Sequence, residues 1–403
     1  MNWSKVRLQM SELDNQSKTK IGSFFATVSF ATVLSQLPFF VSRGMASSVS
    51  MTLWGVASII CLFNCKGFRF RNIGKPITLS VFFLAFVLIA GLINEAYTRS
   101  SIPRSVIIAM FVLIVGNMLG SQITEGDLSS ILSWYAYATV ILAVDVYLEF
   151  FRGASISRIY VYDEKNSTAF LLLSGLIIFI FELEKQWKSE RNPMKSLIKI
   201  LCCIILAYCT FIMQCRAVYI SIALVFVIII SSSNFNKNVK RLLILVSVAF
   251  IFFFLTHGEV LNSLLDKYIY GGRNRSDLND LSSGRSSEWL HFWNDLGNGF
   301  LFGNGHMKRE TLILTAILEF GFIFGLIVIR LAFFPIRFVA RYINRNSPMY
   351  VFLLSIACSF VTNAFFEQLA PLGPGVKCFL LWLLIGIFSS DQWQQTYGKV
   401  YLG

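Results

Sequence analysis

The sequence predicts an all-α protein that crosses a membrane many times. Of its 403 residues, 55% are hydrophobic and only 14% are charged, whereas a soluble domain carries roughly a quarter charged residues. The apolar residues form blocks of about 18 to 22 residues, the length that a helix needs to cross a bilayer. Basic residues gather between alternate blocks, which is typical of loops on the cytoplasmic side.

The apolar blocks predict about twelve transmembrane helices within a single integral membrane domain that covers residues 1–403. The first block is long and follows a polar, basic segment, which favours a membrane helix over a cleaved signal peptide. The predicted spans are roughly 21–41, 46–64, 77–94, 103–120, 128–150, 166–183, 197–213, 217–232, 241–257, 310–330, 348–367 and 373–390.

The basic loops predict the orientation of the chain. Loops on the other side hold only scattered arginines, so the clustered side is the cytoplasmic one. This orientation places both termini in the cytoplasm and leaves residues 258–309, between the ninth and tenth helices, as one large extracytoplasmic loop. The clusters are Lys66, Arg69, Arg71 and Lys75; Lys185, Lys188, Arg191 and Lys195; Lys237, Lys240 and Arg241; and Arg337, Arg341 and Arg345.

Composition also argues against several functional classes. The net charge of +13 is accounted for by cytoplasmic anchors, so nucleic acid is not a predicted partner. The eight cysteines lie in or beside apolar blocks without zinc-site spacing, which indicates small core residues. The chain contains no Asp-x-Asp motif and no His/Cys cluster with metal spacing. We therefore expect neither a metal nor a cofactor.

Ionisable residues inside membrane spans are costly, so their positions are informative. In the predicted topology they fall near the outer ends of the spans, and we interpret the middles and inner halves as nearly purely apolar. This distribution favours a cavity that opens outward beneath the large loop, although residues at the interface would give a similar pattern. The residues are Asp145, Glu149, Arg216, His257, Glu310, Glu367 and Lys377.

Two arginines are candidate anion ligands. Arg216, in "IMQCRAVYIS", lies between two apolar blocks with almost no loop, and Arg285 lies in "SSGRSSEW". A guanidinium fork suits a phosphate or a carboxylate. A structural salt bridge or a snorkelling side chain is the alternative for Arg216. The following "SEWLHFW" predicts a short amphipathic helix that lies on the bilayer, with Trp289, His291 and Trp293 interfacial.

Two residues are candidate general bases. Glu310 opens the tenth span in "KRETLILTAILEFGFIFG", where a carboxylate also interacts favourably with the helix dipole. His306 competes for the role from "FGNGH" at 302–306. That glycine-rich stretch lacks the spacing of a nucleotide-binding loop and predicts a turn that returns the large loop to the membrane.

The order of four motifs resembles the O-antigen polymerase/ligase superfamily of polytopic bacterial glycosyltransferases. The motifs are "QCRA", "SGR…W…FW", "LFGNG" and "EFGFIFGL". The resemblance implies an undecaprenyl-pyrophosphate-linked oligosaccharide donor, whose pyrophosphate would be contacted at the positions of Arg216 and Arg285. Ligases of this superfamily carry a His-Asn pair where this chain, counted back from Gly321, has Glu310 and Thr311. This departure favours the polymerase branch and leaves the base open between Glu310 and His306.

The expectation is thus a metal-independent polymerase of lipid-linked repeat units of O-antigen, capsule or exopolysaccharide. It would act at the outer face of a bacterial inner membrane, in contact with membrane lipid and alongside a flippase and a chain-length regulator. One alternative is a ligase that transfers finished chains to lipid A-core. Another is a flippase or other transporter of the same lipid, which would need polar residues along its whole path.

Overall fold

The computed structural model describes residues 21–64, 72–151, 165–189, 192–266, 276–282, 284–373 and 375–399. These residues form helices and no strand, apart from an isolated antiparallel bridge between Ile343 and Gly398. The protein is an all-helical membrane protein, as the sequence predicts.

The helices lie close to the predicted blocks. In chain order they are α1 Ile21–Leu34, α2 Ala46–Asn64, α3 Gly74–Ile93, α4 Ile102–Gly120, α5 Glu125–Phe151, α6 Lys165–Ser189, α7 Pro193–Ile212, α8 Arg216–Ser231, α9 Lys237–Thr256, α10 Gly258–Leu264, α11 Arg285–Leu296, α12 Leu312–Ala332, α13 Phe334–Tyr342, α14 Pro348–Thr362, α15 Gly375–Ser389 and α16 Asp391–Tyr397. Single-turn helices form at Pro38–Val41 and Leu278–Leu281, and 3-10 turns at Glu95–Tyr97, Gly297–Gly299 and Asn363–Phe365.

Among the described residues, seven helices are long and apolar enough to cross a membrane. They are α2, α3, α4, α5, α7, α12 and α14, the last together with the 3-10 turn that follows it. Three further apolar helices are shorter: α1, α8 and most of α15. Each of the blocks predicted from the sequence overlaps a helix. The number of membrane crossings and the side on which each loop lies stay predictions.

The centre of the bundle is the crossing of α4 and α15. A side chain at Gly116 would overlap the carbonyl oxygen of Leu383, and one at Gly386 would overlap that of Leu113. Close backbone contact of this kind is a common way to pack helices inside a bilayer. Asn117 also donates a hydrogen bond to Ser389 Oγ across the crossing, at 2.7 Å. The two helices therefore pack backbone to backbone and position everything around them.

Helices α8 and α14 form an antiparallel pair at one side of this core. Ser221 Oγ lies 3.4 Å from the carbonyl oxygen of Ser359, and Asn234 Nδ2 lies 3.4 Å from that of Arg345. Asn234 follows Ser221 along the chain, whereas its partner Arg345 precedes Ser359, so the two helices run in opposite directions. The start of α8, at Arg216, consequently lies at the same end of the bundle as the end of α14.

Helix α12 is interrupted at Gly321, where φ is 69° and ψ is −179°. A break would leave backbone groups unpaired in an apolar environment, which is tolerated only where protein covers them. Residues 300–305 lie along the break and supply the missing partners. The bonds run from Asn304 N to Leu318 O (2.9 Å), Gly305 N to Glu319 O (3.1 Å), Phe322 N to Phe300 O (2.9 Å) and Ile323 N to Leu301 O (3.4 Å).

The glycine-rich stretch therefore returns the loop to α12 and replaces part of its hydrogen bonding. Gly303 takes the left-handed conformation with φ of 84°, and a side chain there would overlap the backbone of Glu319. The hydroxyl of Tyr97 donates to the carbonyl oxygens of Phe302 (3.2 Å) and Gly303 (3.0 Å). These contacts fix the position of the segment that leads into Glu310.

Candidate functional site

Two of the predicted site residues, Arg285 and Glu310, form an ion pair. Arg285 Nη2 lies 2.7 Å from Glu310 Oε2, and the side chains are 19% and 53% exposed. The Arg285 guanidinium also donates to the carbonyl oxygens of Ser282 (3.2 Å) and Phe366 (3.1 Å). The large loop, the approach to α12 and the turn after α14 therefore meet at one arginine.

Arg285 retains a buried donor that no described residue satisfies. Its Nε–H is buried and has no acceptor among the residues that the structure describes. A guanidinium presents its donors as a planar fork that matches phosphate and carboxylate oxygens. An anion that replaced Glu310 beside the Arg285 guanidinium would bind a positive charge whose position is already fixed by two backbone carbonyl groups.

Glu288 joins this pair, although the sequence reasoning missed it. Its carboxylate oxygens lie 3.4 and 3.3 Å from the backbone nitrogen of Glu310. Burial raises the pKa of Glu288 above its ordinary value, and the nearby Glu310 carboxylate adds to this rise. The N–H of Glu310 and the positive charges of Arg309 and Arg285 oppose the rise without cancelling it. Residues three apart on a helix share a face, so its spacing from Arg285 was the available signal.

The apolar face of α11 packs against α12. Phe292 and Leu296 are buried with Leu314, Ile317 and Leu318. Trp289, His291 and Trp293 are exposed, and Trp293 also stacks on Phe322 of α12 with the ring centroids 6.3 Å apart. Arg309 Nη2 lies 2.5 Å from Asp295 Oδ2 near the C-terminal end of α11. Ion pairs thus fix both ends of this helix beside the start of α12.

Glu310 precedes α12 and is not in its first turn. The helix begins at Leu312, and Thr311 is the N-cap, with its side chain accepting a bond from Leu314 N at 3.3 Å. Leu312 N donates to the carbonyl oxygen of Glu367 at 3.1 Å. The predicted span, roughly 310–330, agrees with α12 to within two residues, and Thr311 rather than Glu310 caps the helix.

Arg216 is the first residue of α8 and is partly buried. The preceding turn contains Gln214 with φ of 50°, which confirms the very short connection expected from the sequence. The antiparallel pairing of α8 with α14 brings Arg216 to the end where Asn363–Phe365 follow α14. Arg285 donates to Phe366, the next residue. Both arginines therefore lie at the same end of the bundle, near the turn that follows α14.

That turn carries a buried polar residue, Asn363, which sequence reasoning did not anticipate. Its Oδ1 has no hydrogen-bond partner among the described residues, whereas buried polar atoms are normally satisfied. Asn166, at the start of α6, donates a hydrogen bond to Glu367. The turn therefore brings a buried acceptor and a carboxylate to this end of the bundle.

His306 belongs to a different cluster. Its Nδ1 lies 3.8 Å from Glu319 Oε1, and the side chains are 36% and 0% exposed. Ser100 Oγ donates to the other oxygen of Glu319 at 2.5 Å. The two predicted bases, Glu310 and His306, thus have different partners, and the structure describes no contact between them.

Glu319 is an exception to the expectation that the middles and inner halves of the spans are nearly purely apolar. It lies within α12, two residues before the break at Gly321, and is fully buried. Glu182 is a second exception, since it pairs with Lys199 at 3.0 Å between α6 and α7. Both were overlooked because their surroundings are strongly apolar. The available signal was a charged residue two positions before a glycine within an otherwise apolar run, in "LEFG".

Within the described residues, no three His, Cys, Asp or Glu side chains are grouped so as to hold a metal ion. Comparison with protein-family models, with curated proteins and with solved structures found no match. The resemblance carried by the motif order therefore stays a prediction.

Proposed function

We propose that the protein polymerises lipid-linked oligosaccharide repeat units at the outer face of a bacterial inner membrane, with an undecaprenyl-pyrophosphate-linked donor. The observation that carries the proposal is the Arg285–Glu310 pair. It joins a candidate pyrophosphate ligand to a candidate base, at the end of the bundle where Arg216 begins α8. The resemblance in motif order supports the same assignment.

The reaction needs an acceptor hydroxyl and a charged leaving group. The acceptor oxygen attacks the anomeric carbon of the donor sugar, the bond from that carbon to the pyrophosphate breaks, and the pyrophosphate departs with the electron pair. Negative charge then grows on the phosphate oxygens. Arginine donors aimed at those oxygens stabilise the transition state more than the ground state. Arg285 and Arg216 take this role.

The ion pair links the binding of the donor to activation of the acceptor. A pyrophosphate carries more charge than a carboxylate and forms a bidentate contact with arginine. It therefore displaces Glu310 from Arg285 when it binds. The released Glu310 carboxylate can then accept the proton of the acceptor hydroxyl, which is the role of a general base.

His306 remains the second candidate for the base. Glu319 faces its Nδ1 at 3.8 Å, which leaves Nε2 for an acceptor hydroxyl. A carboxylate beside the distal nitrogen orients an imidazole. Substitution of each residue separately distinguishes the two assignments.

The test is reconstitution of the full chain in liposomes with lipid-linked repeat units, extracted from a deletion strain of its own host. Lengthened lipid-linked chains support the proposal. Transfer of the glycan only to added lipid A-core would identify a ligase. Movement of the lipid across the bilayer without a new glycosidic bond would identify a flippase, for which the buried Glu319 and Glu182 would be the first residues to examine.

The proposed side of the membrane has a separate test. Leu290 is exposed on α11, and Lys195 is exposed near the start of α7. An impermeant thiol reagent applied to intact spheroplasts should label Leu290→Cys and not Lys195→Cys, with the unchanged chain as background. The opposite result would place the site in the cytoplasm, where sugar nucleotides and not lipid pyrophosphates are the common donors.

A further inference from the structure

A second polar region lies away from these residues. A cavity of about 550 Å³ lies between α2, α4 and the start of α15, and residues that follow α1, Gln36 and Val41, also line it. None of the site residues described above lines it. It is nevertheless close to them in the chain, because Leu369 lines the cavity and Phe366 accepts a bond from Arg285.

One end of the cavity is polar and positively charged. Arg104 and Lys377 line it together with the hydroxyl groups of Ser47, Ser50 and Ser105. These residues occupy the first turns of α2, α4 and α15. No aspartate or glutamate is among the described residues of the lining. A wall that carries two cations and several hydroxyl groups favours an anionic ligand.

The other end of the cavity is apolar. Phe111 lies seven residues after Arg104 on α4, which corresponds to about 10 Å along the helix. Phe111 and Val112 line the cavity at this depth. Phe111 is 40% exposed, and Met51, which also lines the cavity, is 57% exposed, so the cavity reaches the outer surface of the bundle, where lipid chains would lie.

Trp54 also lines the cavity and is only 6% exposed. Its indole Nε1–H is buried without an acceptor among the described residues, although a buried tryptophan N–H normally finds a partner. The wall of the cavity therefore contains an unsatisfied donor.

We propose that this cavity binds a phosphate-bearing membrane lipid. The phosphate group of the lipid lies between Arg104 and Lys377, and its acyl chains run between α2 and α4 toward the bilayer. A free phosphate would leave the apolar end unused, and an uncharged lipid would make no use of the positive charge at the polar end. The inference does not depend on the proposed glycosyltransferase activity, because it concerns binding alone.

The phosphate part of the proposal can be tested by native mass spectrometry of the full chain after delipidation in detergent. The probes are phosphatidylglycerol, diacylglycerol with the same chains, and inorganic phosphate. We expect phosphatidylglycerol to bind, and Arg104→Gln to weaken it about tenfold, as for loss of one charge-assisted contact. The matched control is Arg99→Gln, since Arg99 is 70% exposed and pairs with Glu95 at 3.1 Å outside the cavity.

A separate variant tests whether the acyl chains of the lipid occupy the apolar end of the cavity. A side chain added at Gly55 meets nothing within 4 Å, and Gly55 lines the apolar end. Gly55→Leu should therefore fill that end and weaken phosphatidylglycerol binding at least tenfold, while Val56→Leu on the exposed face should not. Equal binding of diacylglycerol would overturn the phosphate assignment. Inorganic phosphate binding as tightly as the lipid, or equal losses in Arg99→Gln and Arg104→Gln, would overturn the lipid site.

Discussion

The Arg285 site and the Arg104 cavity are neighbouring cationic regions built in opposite ways. Arg285 is fixed by Glu310 and two backbone carbonyl groups, beside a helix that is broken and held together by residues 300–305. Arg104 lies on an unbroken helix and lines open space. The first region is ordered before a ligand arrives, and a ligand must displace a carboxylate. In the second region no described carboxylate lines the cavity, so a ligand reaches Arg104 directly.

The largest expected difference between the two regions is in the free energy of unfolding when one glycine of each is replaced by alanine. Gly321 has φ of 69° and a side chain there would overlap the backbone of Leu301, whereas Gly55 faces open space. Gly321→Ala should cost about 3 kcal/mol or more in the free energy of unfolding, because backbone strain and overlap add. Gly55→Ala should be neutral or stabilise by up to about 1 kcal/mol, since alanine favours a helix.

Yield of monodisperse protein on gel filtration and the melting temperature in detergent measure this difference. Similar melting temperatures for both variants would mean that residues 300–305 are not held in the break of α12. The Arg285 region would then be no more rigid than the cavity.

The next largest effect is expected at the proposed base. Glu310→Gln keeps the shape and a hydrogen-bonding group but removes basicity, so the rate of polymer formation should fall by about 10²- to 10⁴-fold. Glu310→Asp should retain more activity, and His306→Ala should be mild. Chain-length analysis of the reconstituted reaction measures all three. Loss of polymer in His306→Ala with near-normal Glu310→Gln would transfer the role to the His306–Glu319 pair.

A smaller loss should follow when an arginine becomes a lysine. Arg285→Lys and Arg216→Lys keep the charge but lose the bidentate fork, so polymer formation should fall about 10- to 100-fold. Arg99→Lys, in an exposed ion pair, is the matched control. Normal chain lengths in Arg216→Lys would make Arg216 a structural residue and leave Arg285 as the only arginine of the proposed site.

Local hydrophobic pattern was enough to predict the helices but not the way they meet. Blocks such as 46–64 coincide with α2 because length and apolar character alone determine a membrane helix. The break at Gly321 was not predicted, because a glutamate two residues before a glycine does not by itself break a helix and the replacement partners come from residues 300–305. The sequence indicated Arg285 and Glu310 separately, but their pairing depends on how Phe292 and Leu296 dock α11. The cavity needs several helices at once, so no single stretch could indicate it.

The smallest predicted effect tests whether the Glu288 carboxylate, beside the Arg285–Glu310 pair, is shielded from water. Burial is the main reason that the pKa of Glu288 is raised. Folding therefore favours the protonated carboxyl, and the stability linked to that proton is lost as the pH rises through the raised pKa. A glutamine side chain at this position does not titrate and would carry no such dependence. Glu288→Gln should thus match the unchanged protein at low pH and melt about 1 °C higher at pH 8, a modest gain because the side chain is only partly buried.

Melting curves of the two proteins between pH 4 and pH 8 provide the measurement. The glutamine keeps an oxygen that can accept the N–H of Glu310, so the comparison isolates the charge. Glu95→Gln, which removes an exposed carboxylate paired with Arg99, controls for a general effect of net charge. If the difference between Glu288→Gln and the unchanged protein does not grow with pH, or if Glu95→Gln gives the same growth, the carboxylate of Glu288 is hydrated in the folded protein. The Glu288 side of the Arg285 region would then be as open to water as the exposed Glu310 carboxylate.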